Sequence, residues 1–96
     1  MKRRAGGAAM TLLDVRENWE TQAEPVPTAH VHIPMGQIVD RLGELDPKQE
    51  TVVICRSGGR SLQVAHYLNA QGFDSVYNLV GGMSGWPNHV DQKVSK

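Results

Sequence analysis

The chain has 96 residues, 40% of them hydrophobic, with 10 basic and 10 acidic side chains. That length supports one hydrophobic core rather than two, and a net charge of zero excludes the overall field that gathers nucleic acid or an anionic membrane. A lone cysteine excludes an internal disulfide, and no apolar run approaches the roughly 20 residues that span a bilayer, so a soluble chain in a reducing, cytoplasmic setting is expected.

The opening MKRRAGGAAM is basic but too short and weakly apolar for a signal peptide; residues 1–10 are expected to be a flexible arm. TLLDV, Thr11 to Val15, is a short apolar strand. ENWE then reads as a helical turn and EPVPT as a proline-stiffened loop. HVHI alternates, with Val31 and Ile33 on one face and His30 and His32 on the other, as in a strand with one covered face. Ile38, Val39, Leu42 and Leu45 recur at helical spacing opposite Asp40, Arg41 and Glu44, which predicts a surface helix closed by Asp46 and Pro47.

TVVIC is apolar enough to be a central parallel strand buried on both faces. From Arg60 onward Leu62, Val64, Ala65 and Leu68 form the apolar stripe of a helix, and Gly72 stands where a helix end needs a left-handed residue. SVYNLV is a further strand, GG a turn and MSGWP a final short helix or turn, before a polar tail over 88–96. Strands alternating with helices through short links predict an α/β domain over 11–87, a parallel sheet with helices on both faces.

Chemistry concentrates in CRSGGR, residues 55 to 60. In open α/β sheets, sites form beyond the carboxyl ends of strands, and Cys55 closes the most apolar strand just before a helix. Gly58 and Gly59 allow positive φ, so successive amides can turn inward as an anion cradle around the sulfur. A free thiol with a pKa of about 8.5 is only ~3% thiolate at pH 7, whereas a helix N-terminus flanked by Arg56 and Arg60 lowers that pKa and makes the nucleophile abundant. A cysteine that merely packs a core needs no such loop.

These residues resemble the rhodanese family of single-domain sulfurtransferases, through LLDVRE, HIPMGQI, VVICRSGGRS and GFDSVYNLVGGMSGW. The resemblance implies that Cys55 takes a sulfane sulfur from a donor such as thiosulfate and passes it from a persulfide to cyanide, a thiol or a protein. It also implies that Arg56, Ser57, Gly58, Gly59 and Arg60 complete the active loop, with no cofactor. Arg56 is expected at the rim, binding the anionic donor, and Arg60 to brace the loop and favour the thiolate. Two departures stand out: relatives usually carry a strand and helix before LLDVR, so a shortened N-terminal element is expected here, and PTAHVHIP lacks the glycine common before the histidine.

Other readings are weaker. Related cysteine phosphatases and arsenate reductases place five residues between cysteine and arginine, against four here, a larger cradle suited to a tetrahedral anion. A non-catalytic interaction or sulfur-relay module would not need Cys55 and both arginines. His30 and His32 lack further ligands for a metal. Trp19, Phe73 and Trp86 read as packing aromatics, since no basic groove accompanies them, and Asp14 with Arg16 as an ion pair or loop anchor at a strand end.

Overall fold

The computed structural model describes residues 10–27, 30–85 and 90–94. Of the arm expected over residues 1–10, Met10 instead opens the first strand, and residues 1–9, like the Trp86–Pro87 pair, lie outside the described residues. Ten elements follow the chain: β1 (Met10–Asp14), α1 (Asn18–Ala23), β2 (Val31–His32), 3-10 turns at Met35–Gln37 and Leu42–Glu44, β3 (Glu50–Ile54), α2 (Gly59–Ala70), β4 (Val76–Val80), a 3-10 turn at Gly82–Gly85 and β5 (Val90–Val94).

The sheet order is β2-β1-β3-β4-β5. β2, β1, β3 and β4 run parallel, with Leu13 opposite Val53 and Val53 opposite Asn78, while β5 pairs antiparallel with β4, Val94 opposite Val76. The expected polar tail is therefore part of the sheet at Val90–Val94. Its signal is weak because an edge strand needs only one apolar face, and the interspersed Asp91, Gln92 and Lys93 read as solvent-exposed sequence. Charged residues of this kind also blunt an edge against further pairing.

The central strands β1, β3 and β4 are buried on both faces over most of their length, and side chains alternate between two cores as the pleat requires. Leu13, Val53, Cys55, Val76 and Val94 join Val64, Ala65, Leu68 and Phe73 on the α2 side, whereas Leu12, Val52, Ile54, Tyr77 and Leu79 join Val26 and Met83 on the other.

The helix expected over Ile38 to Leu45 does not form. Two 3-10 turns take its place, with Ile38 and Leu45 turned into the core and Val39 left 68% exposed. Gly43 within it costs a helix about 1 kcal/mol, and a segment this short has too few hydrogen bonds to recover that cost. Arg41 instead ties the segment locally, bonding Glu44 at 2.8 Å and Gln37 at 3.0 Å.

In α2 the expected stripe is corrected at one position. Val64, Ala65 and Leu68 are buried as the spacing predicts, but Leu62 is 38% exposed, and the inward position one turn earlier belongs to Ser61, which is fully buried. Gly72 closes the helix with φ +99°, and the amide of Phe73 reaches back to Leu68 O at 3.1 Å, a left-handed helix end of the expected kind.

Candidate active site

Cys55 follows directly on β3 and precedes α2, so its position is set by a strand end and a helix start in close succession. Gly58 is the N-cap of α2, with φ +100°. That left-handed turn, accessible to glycine at little cost, aims the Gly58 amide at the sulfur, N to Sγ 3.0 Å. Gly59, expected to share the positive-φ curl, is instead the first helical residue, and a Cβ there would meet nothing within 4 Å. One glycine makes the turn and the other leaves space.

Burial pushes the Cys55 thiol up. The Ser61 hydroxyl and the amides of Ser61, Gly58 and Ser57 outweigh that effect by favouring the anion, and leave the thiol below its ordinary value. The sulfur lies deeper than an open cradle would suggest, because Cys55 is only 1% exposed. Its Sγ is 3.4 Å from Ser61 Oγ, and Ser61 in turn donates to Asn78 Oδ1 on β4.

The loop's carbonyls point the other way, into the turn that the GG dipeptide begins. Cys55 O accepts from the Met83 amide at 2.9 Å and Arg56 O from the Ser84 amide at 2.9 Å. The peptide whose Arg56 oxygen is held below turns its Ser57 amide toward the sulfur, so the Gly82–Gly85 turn helps to shape the loop. Gly82 (φ +52°) is essential to this approach: a Cβ there would stand 2.1 Å from Cys55 O.

The two loop arginines part company. Arg60 forms a bidentate pair with Glu20 of α1 at 2.6 and 2.8 Å, the strong parallel geometry that guanidinium and carboxylate favour. The Arg60 hydrogen bonds, against some loss from burial, lower the Glu20 carboxyl from 4.5 to about 2, aided by the Glu17 amide and by the charges of Arg60 and Arg16. Arg60 is held above its ordinary range, first by Glu20 and also by the field of Cys55. Its guanidinium thus braces α2 against α1 rather than reaching the sulfur.

Arg56 and Ser57 are exposed. The ion pairs among the described residues, Arg16–Asp14, Arg41–Glu44 and Arg60–Glu20, do not include Arg56. It borders a cleft of about 180 Å³ with Trp19, Glu20 and Glu24. Trp19, expected to pack, is 67% exposed there, while Phe73 is core as expected at 3%.

Asp14 and Arg16, both buried, form the expected ion pair, Nη2 to Oδ2 2.9 Å. Arg16 Nη2 also donates to Glu24 O at 2.8 Å, anchoring the end of α1. His32 Nε2 lies 2.7 Å from Arg16 O, which gives that ring a structural role; His30 is exposed.

The site thus unites Cys55 with the amides of Ser57, Gly58 and Ser61, and keeps Arg56 at its edge. The Rhodanese-like domain family matches residues 1–89. The chain belongs to that family.

Its relatives include YtwF of Bacillus subtilis (strain 168), provisionally named a sulfurtransferase, 46% identical over 82 residues that cover 85% of this chain and 78% of that one. A sulfurtransferase of Allochromatium vinosum is 38% identical, over 81% of this chain and 72% of its own. The rhodanese-like domain protein of Staphylococcus aureus superposes with a TM-score of 0.78 at 29% identity, over 99% of this chain and 90% of that one. Kinship at this level supports a sulfurtransferase function for this rhodanese-like domain.

Ser61, Asn78, Gly82 and Glu20 escaped the sequence reading. Ser61 lies three and four residues before the buried Val64 and Ala65, and Asn78 interrupts an otherwise apolar strand, so both carried a signal: a polar residue at a core position asks for a partner.

Proposed function

We propose that this rhodanese-like domain is a sulfurtransferase that carries a sulfane sulfur as a persulfide on Cys55, with thiosulfate or a similar anion as donor and a thiophilic acceptor. The Cys55 thiolate attacks the outer sulfur of thiosulfate; a new S–S bond forms, the donor's S–S bond breaks, and its electron pair leaves with sulfite. The acceptor, cyanide or a thiolate, then attacks the outer sulfur of the persulfide and returns the electron pair to Sγ.

The observation that carries this reading is the convergence of the loop amides on the sulfur of Cys55 at the start of α2, a geometry that stabilises a negative sulfur before attack and after departure. Arg56 supplies a cation for the leaving sulfite, and Ser57, Gly58 and Gly59 line the path to the sulfur. Arg60 serves by holding the loop to Glu20. The buried thiol favours a slender guest, one sulfur atom in line with Sγ, over a bulky phosphate ester. The setting we propose is a reducing compartment such as the cytoplasm, where a single thiol stays available.

Intact-protein mass spectrometry after thiosulfate treatment tests this. The expected result is one added sulfur atom that cyanide removes, absent in Cys55→Ser. A chain that gains no sulfur, or a Cys55→Ser variant that keeps thiosulfate:cyanide turnover, refutes it.

A further inference from the structure

Beneath the loop lies a chain of three polar groups. Cys55 Sγ is 3.4 Å from Ser61 Oγ, Ser61 donates to Asn78 Oδ1, and none of the three residues is more than 5% exposed. In the thiol form every group is satisfied: the S–H donates to the Ser61 oxygen and the Ser61 hydroxyl donates onward to Asn78.

Ionisation breaks that order, because Ser61 has one proton and two acceptors now want it. If the hydroxyl stays on Asn78, it presents a lone pair to the sulfur anion. If it turns to the sulfur, it strips a buried amide oxygen of its donor, and an orphaned buried acceptor is costly. Asn78 has no other donor to Oδ1 among the described residues.

We propose that Asn78 is a positioning residue that draws the Ser61 hydroxyl away from the sulfur whenever Sγ is uncharged, so that the hydroxyl swings between Asn78 and Sγ once in each half of sulfur transfer. The catalytic use of this swing rests on the persulfide reading; the hydrogen-bond competition itself does not. As the thiolate bonds to the donor's outer sulfur and sulfite departs with the electron pair, charge leaves Sγ and the hydroxyl returns to Asn78. When the acceptor bonds to the outer sulfur and the Sγ–S bond breaks, the electron pair returns to Sγ and the hydroxyl turns back. Ser61 keeps its proton throughout and acts only through its direction.

Other charges around the sulfur stay fixed in this scheme. Among the described residues they are Arg56 on the loop, Arg60 on α2 with Glu20 from α1, and the Asp14–Arg16 pair at the end of β1; Tyr67 of α2 packs against the same core as Cys55, and phenols are uncharged over the range of the titration. β4 carries one titratable group, Tyr77, which belongs to the core on the opposite sheet face from Cys55, and the Gly82–Gly85 turn carries none.

The test is a pH titration of thiolate ultraviolet absorbance on the reduced protein. Ser61→Ala removes the hydroxyl that meets the sulfur, so its midpoint should rise, leaving about tenfold less thiolate at a fixed pH below it. Asn78→Leu removes the competitor and should shift the midpoint the other way, with about threefold more thiolate. Asn78→Asp strengthens the competitor and adds charge, and its midpoint should rise.

A purely structural role would loosen the loop in every variant and move all midpoints in one direction, toward an ordinary thiol. Asn78→Ala backs up Asn78→Leu if the larger side chain prevents folding: a fall in either supports the proposal, and a midpoint that rises or stays put in both overturns it. No sulfur donor enters this titration. Failure to gain sulfur from thiosulfate therefore overturns the persulfide reading without touching this result, and the reverse also holds.

Discussion

The floor and the rim of the site are built on opposite terms. On the floor, Cys55, Ser61, Asn78 and Gly82 are buried, the three polar side chains bond, among the described residues, only to one another or to the loop, and a methyl group on Gly82 has nowhere to go. On the rim, Arg56, Ser57 and Trp19 are exposed and held by little. Fold and reactivity are therefore coupled at the floor, where the bonds that shape the loop are the bonds that tune the sulfur. At the rim the two are separable, and substrate preference can change without disturbing the domain.

Gly82→Ala should break the floor most severely. Its Cβ would stand 2.1 Å from Cys55 O and 2.8 Å from Arg56 O, which the backbone can relieve only by moving the loop, at φ +52° where alanine is already strained. We expect a loss of about 4 kcal/mol, at the severe end for a single substitution, read as a lower denaturation midpoint together with slower Cys55 alkylation at neutral pH. A variant of unchanged stability and reactivity would show that the loop does not depend on the turn beneath it.

The Glu20–Arg60 pair joins floor and rim and should give the next largest effect. Glu20→Gln keeps the shape and removes the charge, and is expected to cost about 2 kcal/mol, less than a fully buried broken pair because Arg60 can reach water. The pH dependence has a definite sign. The carboxyl is lowered from 4.5 to about 2 in the fold, so its contribution is fully present above about 4.5 and is lost as pH falls toward 2. Acid unfolding should therefore be less steep in Glu20→Gln than in the parent over that window, and identical slopes would refute the assignment.

How much of this was legible in the sequence follows from the range of the interactions. TVVIC and SVYNLV announce their strands because burial on both faces writes a continuous apolar run, and CRSGGR announces the site because a thiol, glycines and cations meet within six residues. The Ile38–Leu45 segment reads as a helix because apolar spacing alone does not weigh Gly43, or the shortness of the segment, against it. β5 was missed because its partner β4 lies ten residues or more away and its own pattern is mostly polar. Arg60 and Glu20 are forty residues apart, and nothing local in ENWE says which cation its carboxylate will meet.

Arg56→Ala should leave the fold intact, since the side chain is exposed and joins none of the ion pairs among the described residues. On the proposed reading its effect belongs to donor binding: KM for thiosulfate should rise about tenfold, the worth of one exposed charge-assisted contact, with the denaturation midpoint unchanged. A fall in stability without a change in KM would move Arg56 from rim to scaffold.

Trp19→Ala is the mildest substitution and separates the cleft from the sulfur chemistry. At 67% exposure the indole adds little to stability, and a change within about 0.5 kcal/mol is expected. Because the ring borders the same cleft as Arg56, it can shield an acceptor larger than cyanide while doing nothing for cyanide itself. Turnover with cyanide should be unaltered, while KM for a thiol acceptor with an apolar body should rise by roughly two- to threefold, the scale of a partly desolvated contact. Equal effects on both acceptors would place Trp19 in the support of the loop, and no effect on either would remove Trp19 from acceptor recognition.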